Sequence, residues 1–220
     1  MTDLRKDTVE KCVRAALTLA AKKPWPELTL AEVTKEAGVS LEDVRGLMDK
    51  NKLADEIDSF FDRAMSEGAF DDDESPRTRL FDVIMMRFEA MEPHREALLS
   101  LMEWRKTQPL RLISLIAARE DTANWALACT GLDKTEDLPK PVRTASVGWA
   151  ITRAERAWRK EDSADLSRTM ASLDGELRKM EEREGWLNKW RGKLSGKSED
   201  ETAERSPTDD TEPTTEQQPS

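Results

Sequence analysis

Hydrophobic residues recur along the chain at helical spacing, and almost no segment alternates in the way that a half-buried β-strand requires. Positions i, i+4, i+7, i+8 and i+11 form one face of a helix, and they are occupied by Val9, Val13, Ala16, Leu17 and Ala20. Tyrosine is absent and runs of β-branched residues are missing, so the composition typical of strands is not found. The pattern predicts an all-α fold of about nine helices.

Two short helices are predicted after the first one, and each is opened by a capping box. Thr29 lies three residues before Glu32, and Ser40 lies three residues before Asp43, the spacing at which side chain and backbone cap each other. Gly38 separates the two helices and suits a left-handed turn, because it has no Cβ. This helix-turn-helix is a unit that can place its second helix in the major groove of DNA.

An acidic break ahead of Ser75 and Pro76 marks a predicted domain boundary, because this pair is a favourable start for a new helix. We expect a three-helix helix-turn-helix domain of the DNA-binding type over residues 1–68, with its third helix running to about Met48. A helical ligand-binding and dimerisation domain is expected over residues 75–194.

The last two helices of that second domain are predicted to be long, over residues 141–160 and 163–190. Both carry apolar stripes, and the final helix is expected to be capped by Asp162 or Ser163. Two-fold interfaces are the commonest in oligomers, so we expect these helices to form a four-helix interface in a homodimer. The stripes consist of Val147, Ile151, Leu166, Met170, Leu173 and Leu177.

The C-terminal residues 195–220 differ sharply in composition from the rest of the chain. Ala203 is their only apolar side chain, and they contain two basic and eight acidic residues, a net charge of −6 out of −10 for the whole chain. Such a segment cannot bury enough apolar surface to offset its ordering entropy. A disordered acidic tail is therefore predicted.

Several classes of protein are made improbable by composition. No apolar run approaches the 18 or so residues that a membrane-spanning helix needs, and the charged N-terminus has no signal-peptide core. Two cysteines, Cys12 and Cys129, cannot build a disulfide framework. The expectation is a cytoplasmic protein. Its acidic total argues against a generally basic nucleic-acid binder, although a local site can survive it.

The helix-turn-helix, with a long helix before it and a larger helical body after it, resembles the TetR family of bacterial regulators over residues 9–57. The resemblance is carried by Leu28-Thr29, Val33, Ala37-Gly38-Val39-Ser40 and the lysine that follows the second helix. It implies an N-terminal DNA-binding head and a C-terminal domain for ligand binding and dimerisation. The implied function is a ligand-responsive DNA-binding transcriptional regulator, in this case a repressor.

The DNA-contacting residues are expected in and beside the second short helix of this unit. Lys35, Lys50 and Lys52 are predicted to contact phosphates, and Arg45 is predicted to read bases. Glu42 and Asp43 oppose the electrostatic term that dominates affinity for DNA. The complete predicted set is Thr29, Lys35, Ser40, Leu41, Arg45, Lys50 and Lys52.

The second domain is rich in large, soft side chains at helical spacing. Such residues fill an ordinary core, and they also line the apolar pockets that lie between helices of bundles. We predict a pocket for a small apolar ligand, lined by Met85, Phe88, Met102, Trp125, Cys129 and Trp149.

A second, shorter resemblance supports an alternative function. The series from Trp158 through Asp162-Ser163-Ala164-Asp165 to Leu173-Asp174 is similar to the end of the ubiquinone-biosynthesis lipid-binding proteins, which share the TetR-type fold. Trp186 and Trp190 share one helical face with cations around the rest, a composition typical of weak contact with a membrane surface. The alternative is therefore a lipid- or isoprenoid-binding accessory protein without DNA binding, and a helical protein-interaction module is a third possibility.

No catalytic or metal-binding constellation is found in the sequence. His94 is the only histidine, and no HExxH, CxxC, Walker A or GxGxxG motif occurs. We expect neither enzymatic activity nor a cofactor.

Overall fold

The computed structural model describes residues 2–68, 73–108, 112–134, 139–183 and 185. Within these residues the chain forms helices joined by turns, with no strand, which confirms the predicted all-α fold. The helices are α1 (Thr2–Ala20), α2 (Leu30–Ala37), α3 (Leu41–Val44), α4 (Lys50–Asp62), α5 (Pro76–Met91), α6 (Arg95–Lys106), α7 (Leu112–Cys129), α8 (Lys140–Trp158) and α9 (167–183). Short 3-10 turns at Trp25–Glu27, Arg63–Ser66, Glu92–His94 and Leu132–Lys134 connect several of them.

Helix α1 is central to the N-terminal part of the fold. Its predicted apolar face is buried against α2, α4 and α6, with Cys12, Val13, Ala16 and Leu17 all 1% exposed or less. The turn that follows α1 is also fixed to α6, because the backbone amide of Trp25 donates to Ser100 Oγ at 2.8 Å. The helix-turn-helix is thus held against the body, and residues up to Glu181 form one compact unit.

The start and end of α2 follow the sequence signals. Thr29 accepts from the Glu32 amide, the Glu32 carboxylate accepts from the Thr29 amide, and Gly38 ends the helix at φ +66°. The turn after it leads into α3, whose start is capped in the same way by Ser40 and Asp43.

Helix α3 is shorter than predicted. It ends at Val44, not near Met48, because the backbone of Arg45 is extended at ψ 125° and Gly46 takes a left-handed φ of +73°. Residues 45–47 form a turn, and α4 starts after Asp49, whose carboxylate accepts from the Lys52 amide. The candidate recognition helix is therefore a single helical turn.

The capping box of α2 gives a stability prediction with a matched control. Thr29→Ala removes the hydroxyl that caps the Glu32 amide, so it should lower the free energy of unfolding by about 1 kcal/mol. Thr18→Ala is the control, since Thr18 is exposed within α1 and bonds only to the carbonyl of Arg14. It should be neutral or slightly stabilising, because alanine favours a helix interior. Urea unfolding of both variants measures the difference, and an equal effect would exclude the cap as its cause.

Helix α9 begins later than predicted, and its cap is a different residue. Asp162 or Ser163 was the expected cap, but the helix starts at residue 167 after Leu166, which takes a left-handed φ of +56°. The Glu161 carboxylate accepts from Ser163 and, at 2.9 Å, from the Thr169 amide. Burial alone would raise the pKa of Glu161, yet these hydrogen bonds lower it to about 2. This motif therefore has a structural role in the turn between α8 and α9.

The apolar stripes expected to form a dimer interface are used within one chain. Val147, Ile151 and Leu173 are fully buried, Leu166 and Leu177 are at most 4% exposed, and Met170 is half-buried. These residues hold α8 and α9 to the body, so the buried ones are not available to a second chain, and the homodimer stays a prediction. A dimer through these helices would instead use exposed residues such as Val142 and Trp149 on α8.

Other predicted features lie partly or wholly outside the described residues. These are the acidic tail, residues 195–220, and the two tryptophans expected at a membrane surface, Trp186 and Trp190. Among the residues that the structure describes, no helix is both long enough and apolar enough to cross a membrane. The division at residues 68 and 75 into two domains stays a prediction.

Candidate functional site

Two features of the structure are candidates for function: the helix-turn-helix and a large cavity in the body. Helix α4 joins them, since it follows the helix-turn-helix and one of its residues, Asp58, lines the cavity.

Not all of the residues predicted to contact DNA have side chains that are free to reach it. Lys35, Leu41, Arg45 and Lys52 are exposed. Lys50 is half-buried, because its ammonium donates to the carbonyl of Pro26 at 2.7 Å. The remaining two, Thr29 and Ser40, are exposed but serve as the caps of α2 and α3.

The charge around α3 is unfavourable for binding phosphates. Residues 29–52 contain four basic and five acidic side chains, a net charge of −1. Arg45 pairs with Glu42 at 3.6 Å, with both side chains 79% exposed. The Asp43 carboxylate accepts from the Ser40 hydroxyl and amide, which lowers the pKa of Asp43. The Asp43 carboxylate thus already occupies the start of α3, the end of a helix at which a phosphate of DNA would otherwise be favoured.

A groove beside α3 supplies cations that the sequence analysis missed. Its volume is about 380 Å³, and residues from the start of α1 form one wall. Arg5 and Lys11 lie on that wall, where Asp7 pairs with Lys11 at 2.7 Å, and Arg45 lies with Asp43 on the other. The helical pattern of α1 alone could not show this, because the groove exists only when α1 and α3 pack together.

The second feature is a cavity of about 800 Å³ between α6, α7 and α8, with one residue from α4. This volume is within the range of known small-molecule sites. Its apolar lining consists of Met102, Leu115, Ile116, Ala118, Pro141, Ala145, Gly148 and Trp149. Its charged lining consists of Asp58, Arg105, Lys106, Arg119, Glu120, Glu155 and Arg159.

The six residues predicted to form a pocket are distributed between the cavity and the core. Met102 and Trp149 line the cavity. Met85 and Phe88 are core residues at 5% and 0% exposure. Trp125, 43% exposed, and the half-buried Cys129 are not among its lining residues.

A buried ion network lies behind the cavity and joins α4 to the body. Arg87 of α5 is 1% exposed and donates to Asp62 of α4 at 2.6 Å, and it lies 3.7 Å from Asp58. Arg105 of α6 donates to Asp58 at 2.7 Å and to the carbonyl of Ala54. Two arginines of the body therefore hold the second half of α4.

The same network continues into the cavity wall at Glu155 of α8. This carboxylate accepts from Arg119, and also from Arg159 at 2.6 Å. Burial alone would raise the pKa of Glu155, but the charges of Arg119, Arg87 and Arg159 lower it to about 2. Glu155 is thus ionised and shared between guanidinium groups.

The only histidine of the sequence lies beside an aromatic ring, and the described residues contain no cluster of metal ligands. His94 packs against Phe61 with 5.8 Å between ring centroids, and burial lowers the pKa of the imidazole. In the described ranges, no group of three or more His, Cys, Asp or Glu side chains is placed to hold a metal ion.

Comparison with known proteins identifies the fold. No protein-family model matches the sequence, and no curated protein matches it. A TetR transcriptional regulator from Nitrosomonas europaea ATCC 19718 has a similar structure, with a TM-score of 0.63 and 19% identity over 77% of this chain and 95% of that chain. A TetR transcriptional regulator from Rhodococcus sp. RHA1 gives a TM-score of 0.54 and 18% identity over 76% of this chain and 93% of that chain. The resemblance to the ubiquinone-biosynthesis proteins stays a prediction. The chain has the fold of these TetR transcriptional regulators.

Proposed function

We propose that this protein is a ligand-responsive DNA-binding regulator of the TetR type, a cytoplasmic repressor that acts as a homodimer. The observation that carries the proposal is the continuity between its two sites. Helix α4 follows the helix-turn-helix directly, and its residue Asp58 is held by Arg105 at the wall of the cavity. A small apolar or partly apolar ligand in the cavity would act on α4 through this wall and change the position of the head.

In this proposal DNA contacts come from both sides of the groove beside α3. Arg5 and Arg45 line the groove, and the exposed Lys35 and Lys52 flank it in sequence. Lys50 contributes less than the sequence suggests, because its ammonium is held by Pro26. The ion pair between Glu42 and Arg45 must open before Arg45 can reach a base.

The DNA-binding proposal predicts different effects for two cations. Lys52→Gln should weaken binding to all sequences and lower the salt slope of the affinity by about 1, because a phosphate contact releases about one counterion. Arg45→Gln should change sequence preference, since this cation lies at the end of α3. Lys160→Gln, which removes an exposed charge after α8, is the control and should change neither property.

These measurements begin with a genomic DNA pull-down using the full chain, followed by fluorescence anisotropy on the recovered fragments at several salt concentrations. Equal effects of Lys52→Gln and Arg45→Gln on specific and random DNA would show that α3 does not read bases. Recovery of no enriched fragment, even at low salt, would contradict the DNA-binding proposal.

A second candidate function is favoured by the charge of the head. Residues 29–52 have a net charge of −1, and the carboxylates of Glu32 and Asp43 cap the two helices there. This charge favours a protein that keeps the fold but binds no operator DNA. In that case the protein is a lipid- or isoprenoid-binding accessory protein, and the cavity alone is functional. Mass spectrometry of material extracted from the purified protein, beside the pull-down, separates the two candidates. A bound lipid without enriched DNA supports the second one.

A further inference from the structure

The buried ion network does not balance its charges. Within the described residues it contains four guanidinium groups, from Arg87, Arg105, Arg119 and Arg159. It contains three carboxylates, from Asp58, Asp62 and Glu155. One guanidinium group of the network is therefore left without a carboxylate of its own.

The excess charge is located where the network meets the cavity. Asp58 and Asp62 satisfy Arg87 and Arg105, whereas Arg119 and Arg159 share the single carboxylate of Glu155. Both of these arginines line the cavity, with side chains 25% and 36% exposed.

Both guanidinium groups also have donors to spare. Among the residues that the structure describes, neither has a side-chain hydrogen bond to an acceptor other than Glu155. The Nη1 atom of Arg119 is buried and has no hydrogen-bond partner among the described residues.

Among the described residues, the other charged side chains of the lining form no ion pair with this network. Glu120 and Lys106 are both exposed, and Lys106 pairs with Glu103 on its own helix. The rest of the lining is largely apolar, with Leu115, Ile116 and Trp149 as its largest carbon surfaces. The cavity thus combines a cationic end with an apolar surface that is open to solvent, since Ile116 and Trp149 are 69% and 55% exposed.

We propose that the cavity binds an amphiphilic monocarboxylate, with its carboxylate between Arg119 and Arg159 and its hydrocarbon part against Met102, Ile116 and Trp149. A single carboxylate supplies the one negative charge that the network lacks, and its two oxygens match the fork of donors on a guanidinium group. An alkyl phosphate carries between one and two charges at neutral pH and would exceed the balance. This proposal rests on the ligand-binding part of the proposed function and is independent of DNA binding.

The test uses decanoate, 1-decanol and decyl phosphate as probes, with calorimetric titration of the full chain in the absence of DNA. Wild-type protein should bind decanoate at least about tenfold more tightly than 1-decanol, the range expected for a charge-assisted hydrogen bond, and more tightly than decyl phosphate. Arg119→Gln should reduce the affinity for decanoate to that for 1-decanol, and Arg159→Gln should act in the same direction. Arg156→Gln is the control, because it removes an exposed charge from α8 that does not line the cavity.

A variant of the apolar surface tests the location separately. Ala145 is exposed and lines the cavity, so Ala145→Trp should fill space there and weaken decanoate and 1-decanol alike without changing a charge. This variant also keeps the location testable if Arg119→Gln does not fold. Equal wild-type binding of decanoate and 1-decanol, or tighter binding of decyl phosphate, would overturn the assignment of a carboxylate. Unchanged binding to Ala145→Trp would overturn the location. Binding of decanoate by a protein that enriches no DNA would leave this inference intact and remove only the proposed regulator.

Discussion

Arg87→Met is expected to lower the free energy of unfolding by about 3–5 kcal/mol, the largest effect of a single substitution that we predict. Arg87 is 1% exposed, and its guanidinium donates to Asp62 at 2.6 Å. Asp62 also accepts from Thr122 at 2.8 Å and lies in the same buried layer. Methionine retains the apolar volume but leaves the Asp62 carboxylate buried without its counterion, and this residual charge is the source of the cost.

Two further variants separate the charge from the loss of packing. Asp62→Asn on the Arg87→Met background should recover part of the loss, because the buried carboxylate is then gone and its acceptor for Thr122 remains. Arg63→Met removes a cation next to Asp62 in sequence whose partner, Glu10, is on the surface, so its cost should stay below about 1 kcal/mol. Guanidinium unfolding at neutral pH gives all three values. If the double variant loses as much unfolding free energy as the two single variants together, the ion pair is not what stabilises this layer.

The sequence predicted the helices well because their signals are local. The apolar face of α1, the capping residues of α2 and α3 and the Ser75-Pro76 start of α5 are each read within one helix, and the structure confirms them. The predicted end of α3 was wrong because Gly46 takes a positive φ, which no pattern in the neighbouring sequence indicates. The start of α9 was wrong because Glu161, a residue outside the helix, provides the cap.

The ion network was missed although the sequence contains a signal for it. Arg87 lies between Ile84 and Met91 on the buried stripe of α5, at the spacing i, i+3, i+7. Glu155 likewise lies between Ile151 and Trp158 on the buried stripe of α8, at the spacing i, i+4, i+7. A charge on an apolar stripe indicates a buried partner elsewhere in the fold.

The partner of such a charge could not be deduced from the sequence. Arg87 and Asp62 are brought together by the packing of α5 on α4, and Arg119 and Glu155 by the packing of α7 on α8. The cavity depends on the same packing. The prediction of a pocket from soft apolar residues therefore placed Met85 and Phe88 in it, although both are core residues at 5% and 0% exposure.

Glu155→Gln is expected to destabilise the protein by about 3 kcal/mol at neutral pH, and this difference should shrink as the pH falls from 5 to 3. The pKa of Glu155 falls from 4.5 to about 2 on folding, and each pKa unit corresponds to about 1.4 kcal/mol. Because the folded pKa is the lower one, this stabilisation is complete above pH 4.5 and is lost as the pH falls towards 2. The variant lacks this stabilisation at every pH, since glutamine does not titrate.

The measurement is the difference in unfolding free energy between wild type and Glu155→Gln, obtained from urea titrations at pH 7, 5, 4 and 3. Both proteins should become less stable in acid, because Glu32 and Glu161 also have pKa values lowered to about 2, so only the difference between the two proteins reports on Glu155. Glu89→Gln, at an exposed position of α5, should match the wild type at every pH. A difference that stays constant from pH 7 to pH 3 would mean that Glu155 acts through its shape and hydrogen bonds, not through its charge, and the charge balance assigned to the cavity would then be wrong.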